Sequence, residues 1–320
     1  MLRPIAALLV AAAVACPRLQ AAESDTGQQQ ADAGFRVGIE DPAHPAGRGP
    51  RVCHDQGHHN FHRLDGRFAA FRELLEADGY RVEPIATGFD RGVPRRCAIL
   101  VIANAQPGEQ AWSEYPYPTP SAFTDAEIRA VARWVARGGR LLLIADHMPL
   151  AGAAAALAAA FDVQFNDGFA VAGFETEAEA RAAFLTPTRF SIDEGTLRRH
   201  SITTGRGPGS AVDQVLTFTG QAFRAGPALQ PLLVLPADFV SLMPQKAWQF
   251  TLETPRLDVG GWLQGGVLEH GGGRVGLFGE AAMFTAQISA DGRPMGLNAP
   301  GAEQNVRFVR NVLAWLASGV

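Results

Sequence analysis

Four of the chain's eight histidines, His54, His58, His59 and His62, fall within nine consecutive positions of the stretch CHDQGHHNFHRLDG at 53–66, in company with Asp55, Asn60 and Asp65. Imidazole changes charge near neutral pH and is a common metal ligand, so such a cluster can move protons, hold a cation or hydrogen-bond a polar ligand. Chemistry of the same kind follows three other apolar runs: Asn104 after ILVIA, Asp146 and His147 after RLLLIA, and Glu280 after RVGLFG. If the segment around His58 and His62 is helical, its two imidazoles stand one turn apart. Joined by His147 or Asp55, they form a three-ligand site with one position open to water. A divalent metal on His58, His62 and His147 is therefore a candidate cofactor, with Glu280 or Asp146 as the base acting on metal-bound water. A metal-free arrangement uses Asp146 and His147 as an acid/base pair, with Asp55 orienting an imidazole. A third reading needs no reaction, because Asp55 and Asp146 also suit capping of the helices that follow them.

Nucleophilic catalysis is not expected. A Gly-x-nucleophile-x-Gly elbow is missing from every strand end, and in IADHMPLAG the elbow position holds Asp146 and His147. Cys53 lies within a strand-like run and alternates to the face opposite His54. Cys53 and Cys97 each sit in apolar segments where a buried free thiol is the ordinary state, and no disulfide framework is implied.

The elements that must position these groups alternate in type. RVCHD reads as a strand. Asp65 is placed to cap the helix GRFAAFRELLEADG, with Phe68, Phe71, Leu74 and Leu75 on one face and Gly79 at its end. YRVEPIA and CAILVIAN give two more strands, the second apolar on both faces as a central parallel strand would be. TDAE at 124–127 is a capping box opening a helix with Ile128, Val131, Trp134 and Val135 inward, which Gly138 and Gly139 stop. RLLLIAD is a further strand, AGAAAALAAAF a small-faced helix, RVGLFGE a late buried strand and EQNVRFVRNVLAWLA a terminal amphipathic helix. This alternation predicts an α/β three-layer sandwich around a mostly parallel sheet, and 163–270, with its turn-rich short strands, predicts an inserted or edge antiparallel region. In open sheets of this kind ligands collect beyond the strand carboxyl ends, which would place all four polar strand ends on one cleft. The loop QPGEQAWSEYPYPTPSAF at 106–123 adds Trp112, Tyr115 and Tyr117 as candidate ligand-binding aromatics, and His200 in RRHSITTGR is a candidate to close the cleft from the antiparallel side. His54, Asn60, His62 and Asn104 complete the candidate ligand-binding set.

Residues 1–22 read as a secretory signal: Arg3, an apolar run from Ile5 to Ala15, then small residues, with AVAC a weak lipobox making Cys16 a candidate lipid anchor. Residues 23–50 read as a flexible linker, so the domain is expected over 51–318 and the mature protein in a periplasmic or extracellular setting, with no transmembrane span. A formal charge of −4 with interspersed signs gives no basic stripe for nucleic acid.

The pieces DQGHHNFH, ILVIANA, FTDAEI, WVARGGRLLLIADHMP, HSITTGR, FGEAAMFTAQ and QNVRFVRNVLAWL together resemble a bacterial family of exported proteins of unknown function with a class I glutamine amidotransferase-like, flavodoxin-like domain. The resemblance covers most of 51–318. Asp55, His58, Asn60 and His62 match the family's first motif, whereas Gln56 and His59 depart from it, which argues against a carboxylate base at 56 and against a shared role for His59. The resemblance implies the fold but no reaction, and the amidotransferase cysteine elbow is missing here. Two functions remain open: a module that binds a small polar ligand or glycan, and a hydrolase of envelope or extracellular carbohydrate or amide built on Asp55, His58, Asp146, His147 and Glu280.

Overall fold

The computed structural model describes residues 29–205, 207 and 209–319. The segment 1–22, Cys16 included, lies outside the described residues. One sheet of nine strands organises the molecule: β1 (Arg51–Asp55), β2 (Arg81–Ile85), β3 (Ile99–Ala103), β4 (Arg140–Ile144), β5 (Val163–Phe165), β6 (Phe223–Ala225), β7 (Gln230–Val234), β8 (Leu263–His270) and β9 (Gly273–Phe278). They lie in the order β2-β1-β3-β4-β9-β8-β6-β5, with β7 also paired to β8. The first five in that order are parallel. From β9 onward the pairings are antiparallel, which is the edge region expected over 163–270. Strands 169–172, 239–242 and 256–258 form a small second sheet, and 188–191 pairs with 214–217.

Every residue of β3 and β4 is buried. Their side chains alternate between two cores: Ile99, Val101, Ala103, Leu142 and Ile144 face one, Leu100, Ile102, Leu141 and Leu143 the other. A strand buried on both faces is apolar except where a buried polar group is satisfied, as Arg140 is at the start of β4, which is why these runs show no polar alternation. The first core is closed by α1 (Ala69–Ala77) and α6 (Asn305–Ala317), the second by α2 (Asp125–Ala136) and α3 (Leu150–Ala159). The result is a three-layer α/β sandwich. Two further helices, α4 (Glu177–Leu185) and the single turn α5 (Ser201–Thr204), lie in the antiparallel region.

Thr124 and Glu127 form a complete capping box at the start of α2. Gly79 follows α1 at φ +89, and a Cβ there would come within 2.2 Å of the His44 carbonyl oxygen, so both torsion and space require glycine. Three expectations are corrected. Asp65 does not cap α1, which begins after Phe68 with no side-chain cap; Asp65 instead accepts from Arg63. Residues 30–31 pair with 286–288, and Phe35, Val37 and Ile39 pack on the first core, so this part of the expected linker is docked on the domain. Cys53 and Cys97 form a disulfide with Cα atoms 5.5 Å apart. β1 and β3 are neighbours, which brings residues 44 positions apart in the chain side by side just before β3 starts. No helix among the described residues is long and apolar enough to cross a membrane.

Candidate functional site

The carboxyl ends of β1, β3, β4 and β9 stand side by side in the sheet, and several of the polar groups that follow them are joined in two hydrogen-bonded networks. The first is built on Asp55. Its carboxylate lies 2.9 and 3.0 Å from His58 Nδ1 and accepts from Gly57 N and from Asn60 Nδ2. On its other side His58 Nε2 lies 3.0 Å from Glu127 Oε1. Each ring nitrogen faces a carboxylate oxygen, so the imidazole satisfies both contacts only with both protons in place. Phe89 and Phe123 flank the ring at 4.9 and 4.5 Å. Burial opposes the imidazolium, yet the Asp55 and Glu127 carboxylates outweigh it and His58 titrates above its ordinary range. Burial likewise opposes charge on Glu127, but hydrogen bonds from the Thr124 and Phe89 backbone and from His58 bring its pKa down to about 2. An imidazole held by a carboxylate at each ring nitrogen is a clamp between the β1 loop and the start of α2, and both of its nitrogens are spent on those contacts.

The second network centres on Asn104, which follows β3 in the left-handed region at φ 49. Asparagine tolerates that region better than most residues. Its Oδ1 accepts from Asp146 N at 2.9 Å, which settles the orientation of the amide; Nδ2 then donates to Asp146 Oδ2 and to His62 Nδ1, both at 2.7 Å. With Nδ1 accepting, neutral His62 carries its proton on Nε2, and burial holds its pKa well below the ordinary value. The second oxygen of Asp146 accepts from Ala281 N at 2.7 Å, tying β4 to the loop after β9. Burial raises Asp146 to about 6, against the hydrogen bonds from Asn104 and Ala281. Glu280 is buried and accepts from Ala282 N and Met283 N, capping the short turn 282–284. Burial first, and the Asp146 charge second, push its carboxyl well above the usual range.

His147 stands apart from both networks. Its Nδ1 donates to the Met148 carbonyl at 2.8 Å, leaving Nε2 as an acceptor with no partner among the described residues. Burial lowers its pKa to about 4, so the ring is neutral at pH 7. It stacks on Phe169 at 4.4 Å and 13°, meets Trp248 edge-on at 4.7 Å, and faces Trp112 at 5.6 Å. Trp248 itself has φ 63, rare for a bulky side chain, and its buried Nε1 has no hydrogen-bond partner. Trp112 is held by a bond from Nε1 to Gln106 Oε1, and Gln106 Nε2 donates to the His59 carbonyl.

The other sequence candidates separate from this group. His54 is fully buried in the first core against Phe68, its two ring nitrogens unpartnered, and burial lowers its pKa to about 4. Asn60 is spent on Asp55, the Ala103 carbonyl and His58 N. Tyr115 donates to the Gly108 carbonyl within its own loop, while Tyr117 is exposed. His200 caps α5, bonds Gln230 and lies 6.0 Å from Trp315, whose carbonyl accepts from Arg274 at the start of β9. That is the opposite end of the sheet, so His200 does not close the cleft. The one-turn spacing of His58 and His62 is not realised either, because 56–62 is irregular. Among the described residues no three His, Cys, Asp or Glu side chains are grouped to hold a metal ion. Glu127, Phe169 and Trp248 were not expected at the site. Glu127 is legible only as part of its capping box, and nothing local in FAVAG or KAWQF marks the two aromatics.

No family model and no curated protein matches the chain. Among solved structures, the mmIFT52 N-terminal domain is similar at TM-score 0.55 and 11% identity, over 84% of this chain and 98% of that one. ThuA-like proteins from Parabacteroides merdae and Bacteroides uniformis are similar at TM-scores 0.42 and 0.41, with 11% and 12% identity, over 85% and 89% of this chain and 91% and 96% of theirs. Identities this low speak to fold alone.

Proposed function

We propose that the cleft beyond β1, β3, β4 and β9 binds a hydroxylated polar ligand, a glycan being the class that fits, without amidotransferase chemistry. The observation that carries this reading is unspent hydrogen-bonding capacity on one aromatic wall: the His147 Nε2 acceptor and the Trp248 Nε1 donor, on rings 4.7 Å apart, with Trp112 and Phe169 beside them. A hydroxyl both donates and accepts, and sugar rings offer apolar faces to aromatics, so acceptor, donor and rings together suit a saccharide. The carboxylates are mostly committed elsewhere. Asp55 and Glu280 spend their oxygens on the fold, which weakens a catalytic role for both.

The protein works, in this reading, in the periplasm or outside the cell. The signal-like segment 1–22 supports it, and so does the Cys53–Cys97 disulfide, since such bonds persist mainly in oxidising compartments. Saturation-transfer NMR on a panel of oligosaccharides tests the binding. At least one should bind the wild type and bind His147→Ala ten-fold or more weakly; a folded wild type silent to every member at 10 mM sinks the proposal.

One observation favours hydrolysis as a second reading. Asp146 is partly exposed and raised by burial to about 6, which suits a carboxyl that gives up or takes a proton near pH 6. Turnover of any panel member by the wild type, lost in Asp146→Asn, would decide for it.

A further inference from the structure

At the other end of the sheet, where β4 begins, the surface opens into a pocket of about 560 Å³ lined by Arg91, Arg95, Arg133, Arg137 and Arg140 against a single carboxylate, Asp90. In a chain of formal charge −4 this is a concentrated reversal of sign. Arg133 and Arg137 stand one turn apart at the end of α2, and Arg91 and Arg95 come from the loop between β2 and β3. All four are exposed, and none makes an ion pair or side-chain hydrogen bond among the described residues. Some other exposed arginines pair, Arg72 with Glu76, Arg189 with Glu194 and Arg293 with Asp291, while scattered ones such as Arg129 and Arg181 do not; what sets the pocket apart is that its unpaired arginines are gathered. Arg140 forms the floor. It is buried and pinned through Nε and Nη1 to the carbonyls of Leu316, Gly138 and Gly272, which leaves Nη2 without an acceptor among the described residues.

Like charges one turn apart on a helix repel, and gathering five guanidinium groups around one cavity adds to that cost. The carbonyl dipole at the end of α2 accounts for Arg133 and Arg137 but not for Arg91 and Arg95, which belong to no helix. The planar fork of arginine matches the oxygens of phosphate and sulfate esters. Trp134 also lines the pocket, covering Gly139 so closely that a Cβ there would lie 2.3 Å from its ring, and it keeps part of its surface exposed. A flat ring beside a fork of cations suits an organic anion better than a bare ion.

We propose that this pocket is a second binding site, for a small organic polyanion bearing phosphate or sulfate groups, recognised by Arg91, Arg95, Arg133 and Arg137 over the fixed Arg140. It is independent of the cleft reading, being at the opposite rim. Isothermal titration of the full chain in 20 mM and 200 mM NaCl tests it, with inositol hexakisphosphate and sucrose octasulfate as probes. The wild type should bind at least one probe below 100 μM at 20 mM salt and ten-fold or more weakly at 200 mM. The double substitutions Arg133→Ala/Arg137→Ala and Arg91→Ala/Arg95→Ala should each weaken binding at least ten-fold with an unchanged thermal melt, as exposed side chains permit. The tighter probe identifies phosphate or sulfate as the source. Arg181→Ala/Arg224→Ala, outside the pocket, should change binding less than two-fold. The proposal is overturned by a wild type that binds neither probe at 5 mM, by pocket variants within two-fold of it, or by an equal loss in the outside pair.

Discussion

Replacing Glu127 by Gln tests the clamp that ties the histidine-rich loop to α2. The substitution keeps the shape, removes the charge opposite His58 Nε2, and leaves one acceptor oxygen where the Phe89 and Thr124 backbone N–H groups now use two. Glu127 is only 5% exposed, so solvent screens the pair little. Its fall from an ordinary 4.5 to about 2 converts, at about 1.36 kcal/mol per pH unit, to about 3 kcal/mol of folding stability. A carboxyl depressed in the folded state contributes fully above pH 4.5 and loses its contribution as the pH falls toward 2. His58 runs the other way: raised in the folded state, it contributes fully below 6.5 and loses its contribution as the pH rises through its folded value. The clamp is therefore strongest between pH 4.5 and 6.5. Urea unfolding followed by tryptophan fluorescence should find Glu127→Gln less stable by about 3 kcal/mol at pH 5.5, narrowing to about 1.5 kcal/mol at pH 3. A difference below about 1 kcal/mol at pH 5.5, or one equal at both pH values, would refute an electrostatic clamp and leave Glu127 a plain helix cap.

Removing the disulfide with Cys53→Ser/Cys97→Ser frees a loop of 44 residues and should cost about 4 kcal/mol in urea unfolding, and a loss under about 1 kcal/mol would show that the bond constrains little. His54 and His147 are held neutral with pKa values near 4, so the folded state resists protonation and stability should fall as pH drops from 6.5 toward 4; the melting temperature should fall over that range. His54→Leu should flatten this slope and, by removing two unpartnered ring nitrogens, leave the protein at least as stable at pH 7; an unchanged slope would clear His54 of the effect. Asn104→Ala strips His62, Asp146 Oδ2 and Asp146 N of their shared partner and puts alanine at φ 49, for which a loss of about 3 kcal/mol is expected by thermal unfolding at pH 7. A loss below about 1 kcal/mol would mean that water replaces the amide without cost.

Read alone, the chain already specified its layers. Five strands and four helices show in runs whose hydrophobic period is local: the unbroken ILVIA and RLLLI of doubly buried strands, the inward stripes of α2 and α6, and the Thr124–Glu127 box. Those patterns depend on neighbours a few positions away, so they survive without coordinates. The polar strand ends Asp55, Asn104, Asp146 and Glu280 were legible too, because a titratable group after an apolar run stands out, and parallel topology implies where it must go.

What those groups do was decided by tertiary structure. Nothing near Asp55 or His58 reveals that Glu127, 69 residues away, takes the second ring nitrogen and so favours the protonated form of the ring. His147 owes its neutral state to Phe169 and Trp248, which reach it from a separate small sheet and its loop. Cys53 meets Cys97, and arginines from a loop, a helix and a strand meet around one pocket, only because parallel pairing aligns segments that the sequence keeps far apart. Element formation is governed by local periodicity. The protonation state and partners of a buried group are governed by whatever packs against it, and packing joins residues without regard to their separation along the chain.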